Sequence, residues 1–192
     1  LQAGQSRPLR ILDIGSGSCD IPMEICRRAT RAGIDVSVTC VEISGYALDL
    51  ARSSLETQPN VALTLCEQSI FDHHPEIPYD VAVGSMFFHH FSDTRIRDLI
   101  THVTSIVEGR ILINDLGRCW ANYVGAWVLC LAESPGVRHD AMVSVKRGFL
   151  PQDIERLVQG LPGVTTRVCW RWPFRVAAIV EHEHLKDTPS ED

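Results

Sequence analysis

The chain has 192 residues, 45% hydrophobic and 22% charged, with thirteen Gly and ten Pro. That profile suits one ordinary globular domain and excludes a fibrous or low-complexity chain. Eighteen basic against twenty-four acidic side chains leave a formal charge of -6, so no overall positive field is available to attract a nucleic-acid backbone, and no nucleic-acid partner is expected. Arg27, Arg28 and Arg31 read as one exposed helix face.

The longest apolar run, residues 123–132, is about half the length that spans a bilayer, so no stable membrane insertion is expected. Residues 1–9 lack the charged start and apolar stretch of a signal peptide. Without an initiator Met and with a strand beginning almost at once, an amino-terminal segment is expected to be missing. Seven cysteines, at 19, 26, 40, 66, 119, 130 and 169, are odd in number and sit among apolar residues. Reduced, buried thiols in a cytoplasmic protein account for them.

Taken in order, short β-rich runs alternate with helical stretches as β-α-β-α-β-α-β-α-β, followed by a helical insertion, a helix and two strands. The first strand is residues 9–14, an apolar run suited to cover on both faces. A helix follows through Ile21, Ile25, Cys26 and Ala29, with Pro22 tolerated in its first turn and Gly33 closing it. Strands at 36–43 and 61–65 flank a helix at about 45–55. Residues 80–84 form the fourth strand, 96–107 the next helix and 110–114 the fifth strand. Such alternation predicts an α/β, doubly wound, mostly parallel sheet.

Past residue 116 the pattern changes. Residues 120–131 form an almost wholly apolar helix, the kind usually buried, and Pro135 with Gly136 stops it. Residues 151–158 predict a sheet-covering helix, 165–170 and 174–180 two strands hinged at Pro173, and 182–192 a frayed tail. The whole, 1–192, reads as one domain in which 116–150 is an insertion.

The chemistry begins at residues 11–19, a strand ending in Ile-Gly-Ser-Gly-Ser-Cys. Gly15 and Gly17 let backbone approach a ligand, and a helix amino terminus follows. A nicotinamide-binding loop would place a third glycine at position 20, where Asp20 stands. Glu42, 25 residues after Gly17 at the end of the second strand, can accept both hydroxyls of a ribose. A tight turn with a solvated Glu42 is the plainer alternative.

Five segments resemble, in order, the class I S-adenosylmethionine-dependent methyltransferases. They are Leu-Asp-Ile-Gly-Ser-Gly-Ser-Cys-Asp-Ile-Pro at 12–22, Val-Glu-Ile at 41–43, Gln-Ser at 68–69, Asp-Val-Ala-Val-Gly-Ser-Met-Phe-Phe-His-His-Phe at 80–91 and Ile-Leu-Ile-Asn-Asp at 111–115. The resemblance implies a seven-stranded Rossmann-like sheet and S-adenosyl-L-methionine as cofactor. It places Asp13, Gly15, Ser16 and Gly17 on the methionine portion and Glu42, with Ile43 beside it, on the ribose. Gln68 and Ser69 fall on the adenine, and Ser85 and Met86 on the sulfonium side. Residues 144–149 and 170–174 look like a bacterial subgroup tied to polyketide or phenolic-lipid pathways, which implies a small, hydrophobic, hydroxyl-bearing acceptor. Two residues depart from the family pattern: Cys19 replaces a loop glycine, and Gln68 replaces an Asp.

A hydroxyl acceptor benefits from a base, and His89 and His90 follow the fourth strand on a loop facing the transferable methyl. His89 is the first candidate. Asp115 either orients a histidine or the acceptor, or starts a helix. The histidines at 73, 74, 89, 90, 182 and 184 lack metal-ligand spacing, so no metal site is expected. Two other readings stay open: a non-catalytic S-adenosylmethionine-binding module, and a nicotinamide-dependent reductase.

Overall fold

A computed structural model describes residues 7–58, 61–131 and 134–183. Its strands are β1 (Leu9–Ile14), β2 (Val36–Glu42), β3 (Leu63–Glu67), β4 (Tyr79–Ser85), β5 (Val107–Leu116), β6 (Val164–Arg171) and β7 (Arg175–His182). Its helices are α1 (Asp20–Arg31), α2 (Gly45–Glu56), α3 (Asp93–Ile106), α4 (Trp120–Leu129), α5 (Pro135–Arg147) and α6 (Pro151–Val158). The seven strands form one sheet in the order β3-β2-β1-β4-β5-β7-β6. β1 runs parallel to β2 and β4, and β2 parallel to β3, whereas β6 and β7 are antiparallel. This is the expected mostly parallel, doubly wound sheet.

By the density of its contacts the chain falls into two compact units. The first runs to Gly84 and includes His102–Ile111; the second comprises Ser85–Thr101 and everything from Leu112 onward. In the first, Leu12 and Ile14 of β1 are fully buried, each contributing about 2 kcal/mol of hydrophobic stabilisation. Helix α1 lays Pro22, Met23, Cys26 and Ala29 on the sheet and turns its arginines outward. Glu24 accepts from Arg28 Nε at 2.8 Å and pairs with Arg27 at 3.3 Å, so that basic face is partly neutralised on its own helix. Pro22 lies in the first turn, where no intrahelical N–H is lost. Ser44 caps α2 by accepting from Ala47 N at 3.3 Å.

In the second unit α4 and α5 pack on each other, and α6 covers β6 and β7. Phe88, Ile96, Ile100, Ile113, Phe149, Ile154 and Leu157 close around a small apolar space. Main-chain bonds tie the end of α5 to the end of β5. Phe149 N donates to Leu116 O at 2.8 Å, Arg118 N to Phe149 O at 2.9 Å and Gly117 N to Phe174 O at 2.8 Å. Gly148 sits so close that an added Cβ would lie 2.6 Å from Leu116 O.

Several expectations are corrected. No α-helix joins β3 to β4; that link holds only a one-turn 3₁₀ helix, Ile70–Asp72, because Pro75 and Pro78 stand where a helix would need backbone donors. Pro135 does not end a helix but opens α5 behind the cap Ser134, whose Oγ accepts from Val137 N, since a first-turn proline is pre-organised for helix. The apolar helix α4 buries none of its residues, with Trp120 80% and Leu129 82% exposed.

Further differences concern single residues. Arg138 reaches back to donate to Leu131 O at 2.7 Å and Cys130 O at 3.1 Å. Strand β7 extends through His182, paired with Val164, so residue 182, expected in a frayed tail, belongs to the sheet; residues 184–192 lie outside the described residues. Cys19, Cys26 and Cys40 are buried, but Cys66, Cys119 and Cys130 are half-buried and Cys169 exposed, all seven being free thiols.

Candidate active site

The order β3-β2-β1-β4 reverses direction between β1 and β4, the switch point beyond whose carboxyl ends such sheets bind ligands. There, in the first unit, the chain turns through Gly15 at φ 64°, Gly17 at φ 53° and Cys19 at φ 62°. An L-residue enters that left-handed region at a cost. Position 19 therefore asks for the glycine that Cys19 replaces, yet its thiol is 0% exposed and packs inward with Cys40, Met23 and Val38. The ligand face of the loop stays clear: a Cβ on Gly17 would meet nothing within 4 Å. The bond with Cys19, together with burial, pushes the Cys40 thiol upward.

Glu42 Oε2 accepts from Gly17 N at 2.9 Å, and Oε1 accepts from Ser44 N at 2.9 Å. This one carboxylate joins the loop to the end of β2. Each oxygen keeps a lone pair, so the group can still accept two hydroxyls. Ile43 beside it is 74% exposed, an apolar shelf on the surface. Asp13 is buried, and burial first, then the negative charges of Cys19 and Glu42, push its carboxyl up to about 8. A cationic ligand group placed there would restore its ionised form. Together these features fit a bound amino-acid and ribose moiety.

Gln68 and Ser69 follow β3. Gln68 N donates to Glu42 O at 3.1 Å, and Gln68 Nε2 lies 2.6 Å from His73 Nδ1. His73 Nε2 lies 2.9 Å from Tyr79 Oη. Desolvation, then His102 and His74, lower the pKa of His73, so the ring is neutral, accepting at Nδ1 and donating at Nε2. With its amide nitrogen so engaged, Gln68 turns its carbonyl Oε1 free to accept. Ser69 Oγ accepts from Phe71 N at 3.3 Å and so caps the 3₁₀ turn.

In the second unit, the chain continues from β4 through Ser85 and Met86 into a one-turn 3₁₀ helix, Phe88–His90. Asn114 Nδ2 donates to Ser85 Oγ at 3.1 Å, and Met86 N donates to Asn114 O at 2.9 Å. Met86 takes φ 56° and its sulfur contacts Arg175 Nη1.

Asp115, at the end of β5, is fully buried. Its Oδ2 accepts from Phe88 N at 2.8 Å and His89 N at 3.3 Å, and its Oδ1 from Leu116 N at 2.7 Å. Oδ1 also meets His89 Nδ1 at 2.7 Å. A buried carboxylate needs such a full set of donors, and the fourth is the imidazole. His90, exposed on the same turn, sets its ring 4.1 Å from that of His89 at a tilt of 39°; desolvation and then His89 lower its pKa.

Both histidines line a cavity of about 530 Å³ in this unit. Its other walls include Phe91 and Phe149 and the charged Arg118, Lys146 and Arg147. Lys146 and Arg147 escape sequence reasoning because basic residues in the last turn of a helix are what the helix dipole already favours there. Among the described residues no group of three or more His, Cys, Asp or Glu is placed to hold a metal ion. No helix among the described residues is long and apolar enough to cross a membrane.

Fold and loop define a nucleoside-binding α/β protein. The family model described as "Methyltransferase domain" matches residues 11–109, just over half of the chain, which belongs to the class I S-adenosylmethionine-dependent methyltransferases. No curated protein sequence matches it. Among solved structures it is similar to the plantazolicin methyltransferase BpumL, bound to a pentazolic desmethylPZN analogue and SAH, at 14% identity and TM-score 0.70; the match covers 92% of this chain and 77% of that one. It is also similar to magnesium protoporphyrin IX methyltransferase ChlM from Synechocystis PCC 6803 with bound SAM, at 14% identity and TM-score 0.63, covering 93% and 72%.

Proposed function

We propose that the protein methylates a hydroxyl oxygen on a small acceptor, with His89 as base and Asp115 as the residue that orients it. The observation that carries this reading is the 2.7 Å contact between His89 Nδ1 and Asp115 Oδ1. A carboxylate at Nδ1 holds the proton there and leaves Nε2 with a lone pair for the hydroxyl proton. S-adenosylmethionine supplies, when bound, a methyl group whose departure leaves a neutral thioether. Asp13, Gly15, Ser16 and Gly17 then hold the methionine portion, Glu42 with Ile43 the ribose, Gln68 and Ser69 the adenine, and Ser85 with Met86 the sulfonium side. The acceptor lies in the cavity that the 116–150 insertion helps to wall, where Phe91 and Phe149 offer apolar surface. His90 is the second candidate base.

Preservation of that cavity favours an enzyme over a non-catalytic binding module. Against a nicotinamide-dependent reductase stands Asp20, the first residue of α1, its Oδ2 accepting from Ser18 Oγ at 2.7 Å. A carboxylate there repels the pyrophosphate that a helix amino terminus would otherwise hold. Seven free thiols favour a cytoplasmic setting.

The test is incubation with S-adenosylmethionine and a panel of phenolic acceptors, followed by S-adenosylhomocysteine formation. His89→Ala is expected to lower turnover by about 10²- to 10⁴-fold while S-adenosylhomocysteine affinity stays within about threefold. Turnover unchanged in that variant would remove the base from the reading.

A further inference from the structure

Around the cavity beside His89 stand four cations, Arg118, Lys146, Arg147 and Arg156, and two acids, Asp93 and Asp153. The excess is positive in a chain whose formal charge is -6. The acids do not balance it evenly. Asp153 is committed: it accepts from Arg118 Nη2 at 2.6 Å and from Leu150 N at 2.9 Å, and lies 3.8 Å from Arg156. Asp93 opens α3, where a carboxylate answers the helix dipole.

Lys146 and Arg147, the last residues of α5, are left over. Lys146 Nζ lies 5.6 Å from the Tyr123 ring centroid, and among the described residues neither cation has a carboxylate partner within ion-pair distance. They are held near the histidine turn by three features: α5 packs on Phe88–His90, Gly148 fits against the Leu116 carbonyl, and Phe149 N bonds that carbonyl. Two such adjacent cations at the wall of a half-enclosed cavity suit an oxyanion, a guanidinium offering two parallel donors and an ammonium a point charge.

We propose that the acceptor carries an anionic group, a carboxylate or a phosphate, which Lys146 and Arg147 hold while its hydroxyl reaches His89. This rests on the O-methylation reading and narrows its substrate class to hydroxyl-bearing acids. The apolar walls, Phe91 and Phe149, take the body of the molecule between its two polar ends.

Three probes of nearly equal shape test it: 4-hydroxybenzoate, 4-hydroxyphenyl phosphate and the neutral 4-hydroxybenzamide. Their affinities are measured by calorimetry on the protein saturated with S-adenosylhomocysteine. At least one anion is expected to bind about tenfold or more tighter than the amide, and the two anions tell carboxylate from phosphate. The preference should fall below about threefold in the double variant Lys146→Gln/Arg147→Gln. It should persist in Arg156→Gln, whose cation already faces Asp153, and shrink as salt rises.

Equal binding of the amide, no binding by either anion, or a preference that survives the double variant would each overturn the proposal. Thermal melting of the exposed-residue variants checks that they remain folded. The two readings fail separately. Anion preference without S-adenosylhomocysteine formation from S-adenosylmethionine would sink O-methylation of these acids and keep the oxyanion site. Equally fast methylation of the amide would do the reverse.

Discussion

Replacing Asp13 by Asn removes a carboxyl that the fold keeps 3% exposed and holds at about 8 instead of the ordinary 3.8. In the unfolded chain this group ionises above its ordinary value, whereas the ligand-free fold keeps it protonated until pH nears 8. Between those values the folded state binds the extra proton, so wild-type stability falls as pH rises, by about 1.4 kcal/mol per unit. Below the ordinary value both states are protonated and the contribution vanishes.

Asn carries no such charge. The variant should match wild type near pH 4 and exceed it by on the order of 4 kcal/mol at pH 7. Urea denaturation of both proteins at a series of pH values, read as the difference between them, isolates this one group from all other titrations. Under the proposed cofactor placement the gain in stability comes with a loss of S-adenosylhomocysteine affinity on the order of 30-fold or more, the loss of a charged hydrogen bond. Parallel stability curves across pH would refute the reasoning, because they would mean that Asp13 is ionised in the fold at neutral pH.

Glu42→Ala should weaken S-adenosylhomocysteine binding by at least about tenfold, far more than His89→Ala, and calorimetry of the two side by side decides whether these roles divide as proposed. Cys19→Val should destabilise by about 2–4 kcal/mol, since a β-branched residue resists φ 62° and overfills the core, while Cys19→Gly stays within about 1 kcal/mol; denaturant titration compares them. His73→Ala should free the Gln68 amide to rotate. Its measure is discrimination between S-adenosylhomocysteine and S-inosylhomocysteine, whose base lacks the exocyclic amine, and that ratio should drop about fivefold or more. Asp115→Asn should lower turnover by about tenfold or more while S-adenosylhomocysteine affinity stays within about threefold, because the imidazole loses the carboxylate that fixes its Nδ1 proton; turnover and calorimetry on the folded variant check it.

The parts of the molecule written in local sequence are legible in the sequence alone. Strand β1, the turn at Gly15 and Gly17 and Glu42 at the end of β2 all declare themselves through short-range pattern, and the structure joins Gly17 to Glu42 by one hydrogen bond. Parts that depend on residues distant in sequence were not legible. Nothing around Gln68 says that His73 and Tyr79 will line up behind it, and nothing at Lys146 says that α5 will end at the turn bearing His89. Apolar period misled where it stood alone: α4 is apolar on every side yet buries no residue, because composition reports what a helix would gain by burial and not whether a partner covers it. Prolines misled in another way, since Pro135 opens a helix and Pro75 and Pro78 prevent one, outcomes set by position within the turn.

The two departures from the family pattern are absorbed behind the ligand face. Cys19 turns its thiol into the core beside Cys40, leaving the loop surface to backbone. Gln68, longer than the Asp it replaces, uses its extra reach to anchor its amide on His73, and the carbonyl keeps the acceptor role that a carboxylate would have had. What remains distinctive is the local charge around the glycine loop and around the histidine cavity. Acids, Asp13 and Glu42, gather at the glycine loop, and Lys146 and Arg147, cations without a carboxylate partner among the described residues, gather at the histidine cavity. Under the proposed reading the donor, a sulfonium cation, meets the acids, where Asp13 ionises as the cation arrives, and an anionic acceptor meets the cations. On that reading the ionised side chains replace the water each ligand loses on binding, which is how a preorganised site favours transfer over solvation.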